Sequence, residues 1–124
     1  MSRKNVPSQE DFARAKAAMN KDDQGLADVR RQIMTQFGSR GVHQVLILYS
    51  RTTKSFGVFV FLQSNTQVAS AHESGLVSEI EDAALQALED VGRGSKSSLD
   101  VRFELDSDEN VQMNFAGNYY HRLR

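Results

Sequence analysis

Residues 42 to 63, VHQVLILYSRTTKSFGVFVFLQ, carry the strongest structural signal in the chain. Val42 to Ser50 and Phe56 to Gln63 are rich in β-branched and aromatic residues, which favour strands. The polar RTTKS between them is typical of a short hairpin loop. Both segments are apolar at consecutive positions. We therefore expect a hairpin that is buried on both faces, or covered by helix on one face and by a partner on the other.

Two apolar stripes at helical spacing precede the hairpin, Phe12, Ala15, Met19 and then Leu26, Val29, Ile33, Phe37. Gly38 is placed to end the second stripe. Gly25 leaves two alternatives open, because residues 8 to 37 are either one long helix with a weak point or two helices. Residues 1 to 7 are polar, and we expect them to be disordered.

The second half of the chain continues with a helix, a strand and a short helix. The third helix has the inward stripe Val77, Ile80, Ala84, Leu88, Val91, and Ser78 with Glu81 resembles a capping box near its start. Residues 66 to 74 before it are interpreted as a polar connection. Apolar and polar residues alternate from Leu99 to Asp106, which predicts a strand with one wet face. Residues 108 to 115 return to helical spacing.

These patterns predict an α+β fold over residues 1 to 124 as a single domain. The element order is helix, strand, strand, helix, strand, short helix, with a small, mainly antiparallel three-stranded sheet packed with amphipathic helices. A chain of 124 residues is long enough for one core.

Composition limits the classes of function. The chain has no cysteine, which excludes disulfides and thiolate metal sites. MSRKNVPSQEDF at its start has no apolar run behind the basic residues, so we expect no secretory signal, and no apolar run approaches the roughly 20 residues that span a bilayer. We therefore expect a cytoplasmic protein that does not contact a membrane. The net charge of −1 supplies no overall field for nucleic acid.

No pattern of catalytic residues is apparent. His43, His72 and His121 lie far apart, without the spacing of metal ligands. The chain lacks a GxSxG nucleophile motif, and GRG at residues 92 to 94 follows a helix and lacks the P-loop lysine, so it is interpreted as a helix end. We expect no metal, no cofactor and no enzymatic activity.

Acidic residues are concentrated between residues 79 and 109, which hold ten of the sixteen acids and three basic residues. They can be ordinary solvated positions, and Asp106, Ser107 or Asp108 can cap the 108 to 115 helix. One cap leaves carboxylates to spare, and an acidic surface suits a basic partner. The candidate partner-binding residues are Glu79, Glu81, Asp82, Glu89, Asp90, Asp106, Asp108 and Glu109.

The closing NYYHRLR allows three interpretations. One of Tyr119 and Tyr120 closes over the sheet with Leu123 as an anchor. Alternatively, tyrosine and arginine form an interaction hot spot. As a third possibility, the tyrosines stack on bases beside Arg122 and Arg124, although the acids just upstream oppose it.

DSDENV followed by GNYYHRLR resembles the C-terminal pattern of immunity proteins from bacterial contact-dependent growth inhibition and related polymorphic toxin systems. The resemblance covers residues 104 to 124. Its matched positions are Asp106, Asp108, Glu109, Asn110, Gly117, Tyr119, Tyr120 and Arg122. The resemblance implies a small protein that binds its cognate toxin domain, often a nuclease, and blocks the active site or substrate access.

Two other hypotheses stay open at this point. The apolar strands Val45 to Tyr49 and Phe56 to Leu62 can form a self-association surface of a homodimeric adaptor or scaffold. A nucleic-acid-binding domain using Arg122 and Arg124 would bind RNA in a salt-sensitive manner.

Overall fold

A computed structural model describes residues 22 to 123. The elements in chain order are α1 (Leu26–Phe37), a 3-10 turn (Gly38–Arg40), β1 (Val42–Ser50), β2 (Ser55–Leu62), α2 (Asn65–Ser74), α3 (Leu76–Asp90), β3 (Val101–Ser107), α4 (Asp108–Asn114) and α5 (Tyr119–Arg122). The predicted α+β class and the order of elements are confirmed. The predictions for residues 1 to 7 and for the stripe from Phe12 to Met19 lie outside the described residues.

The three strands form one sheet in the order β1-β2-β3. β1 and β2 pair antiparallel through the expected hairpin, while β2 and β3 pair parallel. The sheet is therefore mixed, and the antiparallel pairing that we predicted for most of it applies to the hairpin alone. β3 can run parallel to β2 because α2 and α3 lie between them in the chain, and a parallel pair needs a crossover of that length.

The face of the sheet that carries α1 and α3 holds the main core. Directly opposed residues form four rows across the sheet on this face, Val42–Leu62–Ser107, Val45–Val60–Leu105, Ile47–Val58–Phe103 and Tyr49–Phe56–Val101. From α1, Val29 and Ile33 are fully buried, and from α3, Ala84 and Leu88 are fully buried. Within residues 22 to 123, the burial of this apolar surface is the main contribution to stability.

α2 occupies the segment that the sequence analysis interpreted as a polar connection. Ser64 is its N-cap, since its Oγ accepts the Gln67 N–H at 3.2 Å and Gln67 Oε1 accepts the Ser64 N–H at 3.1 Å. The capping box therefore lies here, and α3 begins at Leu76, ahead of Ser78. Only Ala71 of α2 is buried, so the helix lacks the apolar stripe by which helices are recognised in a sequence.

Gly25 separates α1 from the residues before it. Its φ of 79° lies in the left-handed region, and a Cβ at this position would approach the Val91 side chain to 2.8 Å. Glycine alone adopts this conformation readily and leaves room for that contact. The chain therefore turns at Gly25, which decides against one continuous helix through this position.

The second face of the sheet is covered at one end by the chain's own C-terminal segment. Three rows lie on this face, Gln44–Phe61–Asp106, Leu46–Phe59–Glu104 and Leu48–Gly57–Arg102. Phe61 in the first row is 1% exposed because the Tyr119 ring packs edge-on against it, with centroids 4.7 Å apart. Leu48 in the third row is 49% exposed. The two faces thus differ in what covers them, since helices pack on one and the C-terminal segment covers part of the other.

Candidate binding surfaces

The C-terminal network, which we define as Glu104, Asp106, Asp108, Tyr119 and Arg122, ties α5 to β3 and α4. Asp106 accepts hydrogen bonds from Arg122 Nε, from the Ser107 N–H at 2.8 Å and from Asn110 Nδ2 at 2.9 Å. Burial alone would raise the pKa of Asp106, but these hydrogen bonds and the positive charge of Arg122 lower it overall. Asp106 is therefore ionised, and its carboxylate is directed toward the C-terminal segment of the chain.

Asp108 fastens Tyr119 at the same end of the sheet. The Tyr119 hydroxyl donates to Asp108 Oδ1, Gln112 Nε2 donates to it at 3.2 Å, and His43 Nε2 lies 3.7 Å away. The hydrogen bond from Tyr119 lowers the pKa of Asp108. Burial, followed by the hydrogen bond to Asp108, raises the pKa of Tyr119 above its ordinary value. The pair therefore joins a neutral phenol to an ionised carboxylate over the neutral pH range.

Arg122 completes the network from the last turn. Besides its bond to Asp106, its Nη2 lies 3.4 Å from Glu104 Oε1, and its side chain is 19% exposed. The hydrogen bond to Asp106 raises the pKa of Arg122 further. The Arg122 guanidinium is thus directed to carboxylates of its own chain, which leaves it poorly placed for the nucleic-acid interpretation. Arg124 lies outside the described residues.

Ser107 and Glu109 join the start of α4 to the connection between β2 and α2. Ser107 is fully buried, and its Oγ accepts the Asn110 N–H at 2.9 Å, so it is the cap among the three candidates. Glu109 Oε1 accepts the Asn65 N–H at 2.9 Å, and the Glu109 N–H donates to the Gln63 carbonyl at 3.1 Å. All three acids of the DSDEN run therefore bond within the chain.

The remaining matched positions have separate roles. Gly117 has a φ of 76°, and its N–H donates to the Val111 carbonyl at 2.9 Å, which turns the chain from α4 into α5. Asn110 also accepts Asn114 Nδ2 at 2.6 Å. Tyr119 packs against the sheet, whereas Tyr120 is 79% exposed. Of the two tyrosines, Tyr119 is therefore the one that closes over the sheet.

No protein-family model, curated protein or solved structure matches the chain. What its surfaces can do therefore follows from their geometry and charge. Between residues 22 and 123, no group of three His, Asp or Glu side chains is arranged to hold a metal ion. Within the same range, no helix is long and apolar enough to cross a membrane.

Four acidic residues of α3 are exposed, Glu79, Asp82, Glu89 and Asp90. Glu81 is half-buried, in a pocket that it shares with Phe103, Glu104 and Leu105 of β3. Glu79 forms a two-bond ion pair with Arg40 at 3.0 and 2.9 Å, and this hydrogen bonding lowers the pKa of Glu79. Asp82 pairs with Lys96 at 2.7 Å. The carboxylates of both pairs are more than half exposed. They are therefore reachable by a partner.

Glu81, Glu89 and Asp90 have no ion pair with any residue from 22 to 123. Glu89 accepts the Lys96 N–H at 2.7 Å, and Asp90 accepts Gln86 Nε2 at 2.9 Å. An open groove between α1 and α3 carries three of the five predicted acids of this helix along its wall. Its polar lining residues are Gln32, Gln36, Glu79, Asp82, Gln86 and Asp90.

The two sets of predicted partner-binding acids lie on opposite sides of the sheet. α3 packs on the face that holds the main core, whereas Glu104 and Asp106 lie on the second face, in the rows with Phe59 and Phe61. The sequence analysis treated the acids between residues 79 and 109 as one acidic surface. In the structure Asp106 and α3 lie on different faces of the sheet, whereas Glu81 of α3 and Glu104 of β3 line one pocket at the edge that β3 forms.

Arg93 is a structural residue to which the sequence analysis assigned no role. Its guanidinium lies over the Tyr49 and Phe56 rings, 5.0 and 4.9 Å from their centroids. Its Nη1 donates to the carbonyls of Asp22 and Gln24, at 2.6 and 2.8 Å. In the sequence, the only feature that marked Arg93 was the glycine on each side of it. These glycines indicated a turn and gave no indication of the contact with the two aromatic rings.

Proposed function

We propose that this protein is an immunity protein that binds a cognate bacterial toxin domain, a basic nuclease, and neutralises it by blocking the active site or substrate access. The resemblance of the C-terminal pattern suggests the class. The observation that carries the proposal is a difference in exposure, because the side chains of Asp106 and Asp108 are 16% and 24% exposed while those of Glu79 and Asp82 are 53% and 73% exposed. We therefore assign partner binding to α3.

The local charge of α3 supports a basic partner. The full chain has a net charge of only −1, but α3 carries five acidic residues and no basic residue. Charge complementarity of this kind accelerates encounter and selects among partners more than it adds affinity. A toxin domain that binds nucleic acid needs basic residues for its substrate, and an acidic surface competes for those residues.

The geometry of α3 suits rapid capture. Leu76, Ile80, Ala84 and Leu88 bury the inner side of the helix, so the outer carboxylates are held on a rigid element. Exposed ion pairs such as Glu79–Arg40 and Asp82–Lys96 contribute only about 0 to 1 kcal/mol each. Their carboxylates can therefore exchange to Arg or Lys of a partner at little cost in stability.

The first test is a pull-down with the tagged protein from its native cell, read by mass spectrometry. We expect stoichiometric recovery of a basic C-terminal fragment of a large secreted protein. That fragment should stop growth when expressed alone and cease to do so when this chain is coexpressed. Recovery of the chain alone would contradict the proposal and favour a homo-oligomeric adaptor or scaffold.

A pair of matched variants tests the role of α3. Reversing Asp82 and Asp90 to lysine, two exposed acids that line the groove, should slow association with the recovered fragment by about tenfold or more at low salt and flatten its salt dependence. Reversing Glu73 and Asp100, which are exposed outside α3, changes the total charge equally and should leave the rate within about twofold. Equal slowing by both variants would show that net charge, not the α3 surface, steers the encounter.

A further inference from the structure

β1 is an edge strand, and its first half is closed by side chains. Arg30 Nε donates to the Val45 carbonyl at 3.0 Å, and the Val45 N–H donates to Gln44 Oε1 at 3.1 Å. Arg30 Nη2 also donates to Gln44 Oε1 at 2.7 Å. A register shift between Val42 and Gln44 disrupts the ladder just before this point. Such features prevent an edge from pairing with another strand.

The second half of β1 carries none of these features. In an antiparallel pair, residues alternate between bonding toward the partner strand and pointing away from it. Since Val45 bonds outward, Ile47 and Tyr49 also direct their N–H and C=O groups to the outer edge. No group in the described range, residues 22 to 123, forms a hydrogen bond with them there. No charged residue or proline lies between Gln44 and Ser50.

We propose that this outer edge pairs with the same edge of a second copy of the chain, antiparallel and centred on Leu48. Ile47 then exchanges hydrogen bonds with the partner's Tyr49, and Tyr49 with the partner's Ile47. Each Leu48 faces the partner's Leu48 across the two-fold axis. This position is a non-hydrogen-bonded pair, in which Cα atoms are about 4.5 Å apart and side chains are closest.

The register follows from the two halves of the strand. A two-fold axis at Ile47 would require Val45 to bond with the partner, which Arg30 and Gln44 prevent. A two-fold axis at Leu48 requires outward hydrogen bonds from Ile47 and Tyr49 only, and it covers the Leu48 side chain, which is 49% exposed. We assign a second copy as the occupant because its own edge presents Ile47 and Tyr49 in the complementary antiparallel register and brings the two half-exposed Leu48 side chains together. The inference does not depend on the proposed function.

Light scattering after size-exclusion chromatography at several concentrations tests the dimer. The mass should rise from 13.9 kDa toward twice that value as concentration increases. Leu48→Lys should keep the chain monomeric without lowering its melting temperature, since the side chain is half exposed. The matched control Met113→Lys, at a site on α4 that is 75% exposed, should dimerise as the unmodified chain does.

Single cysteines locate the axis, because the chain has none of its own. Leu48→Cys should form an intermolecular disulfide under mild oxidation, as its Cα separation falls in the range that disulfides span. Met113→Cys should not crosslink at the same concentration. A chain that stays monomeric at all concentrations, a dimer that survives Leu48→Lys, or equal crosslinking by both cysteines would overturn the proposal.

Discussion

Replacing Tyr119 with alanine should destabilise the protein, while the same change at the adjacent Tyr120 should not. Tyr119 covers Phe61, which is 1% exposed, and its hydroxyl donates to Asp108. Tyr120 is 79% exposed. The two residues are chemically identical neighbours in one short helix, so any difference between the variants reports on their contacts.

The magnitude follows from the two contacts of Tyr119. An edge-to-face aromatic pair contributes about 1 kcal/mol beyond burial. A hydrogen bond to a charged group contributes about 1.5 kcal/mol or more. The expected loss in the free energy of unfolding is therefore at least about 2.5 kcal/mol, since the lost burial of the ring adds to both contributions. For a domain near this size, that loss corresponds to a fall in melting temperature of about 10 °C.

Thermal unfolding followed by circular dichroism measures both variants against the unmodified chain. Tyr120→Ala should stay within about 0.5 kcal/mol, as surface changes usually do. Tyr119→Phe separates the two contributions, since it removes the hydroxyl and keeps the ring. Equal melting temperatures for Tyr119→Ala and Tyr120→Ala would refute the view that Tyr119 stabilises the sheet face.

Two further predictions concern acid stability and helix capping. Because the folded-state pKa values of Asp106 and Asp108 are lowered, the unfolded chain binds protons first as pH falls. The stability that these two carboxylates contribute is present above about pH 4 and is lost as the pH drops through their folded-state pKa values. The urea concentration at the midpoint of unfolding should therefore fall in acid. The fall should be less steep for Asp106→Asn, which lacks one of the two carboxylates. Ser64→Ala should cost about 1 kcal/mol by removing the cap of α2, whereas Ser78→Ala should change the melting temperature little. If Ser78→Ala lowered the melting temperature more than Ser64→Ala, the capping box would lie at Ser78 and its assignment to Ser64 would be wrong.

Local signals in the sequence predicted most of the elements. The β-branched and aromatic runs on either side of RTTKS predicted the hairpin, and apolar spacing predicted α1 and α3. α2 was missed because its only buried residue is Ala71, and its cap was the available signal. The parallel pairing of β3 could not be predicted, because the alternation of apolar and polar residues is the same for either strand direction.

The candidate site was less accessible to sequence reasoning than the fold. Acidic residue types were visible, but which carboxylates bond within the chain depends on residues far along it. Asp106 meets Arg122 sixteen positions later, and Glu79 meets Arg40 thirty-nine positions earlier. No periodicity links such pairs, since they come together only when β3, α5 and the helices pack.

The sequence by itself determined the α+β class, the hairpin and the apolar faces of α1 and α3, because these depend on neighbouring residues and on repeating burial. Only the tertiary structure decided that the sheet is mixed, that Ser107 is the cap among three candidates, and that Asp106 and Asp108 are less exposed than Glu79 and Asp82. The physical reason is that a carboxylate's availability depends on which distant N–H groups, guanidinium groups and hydroxyls the packed chain brings to it.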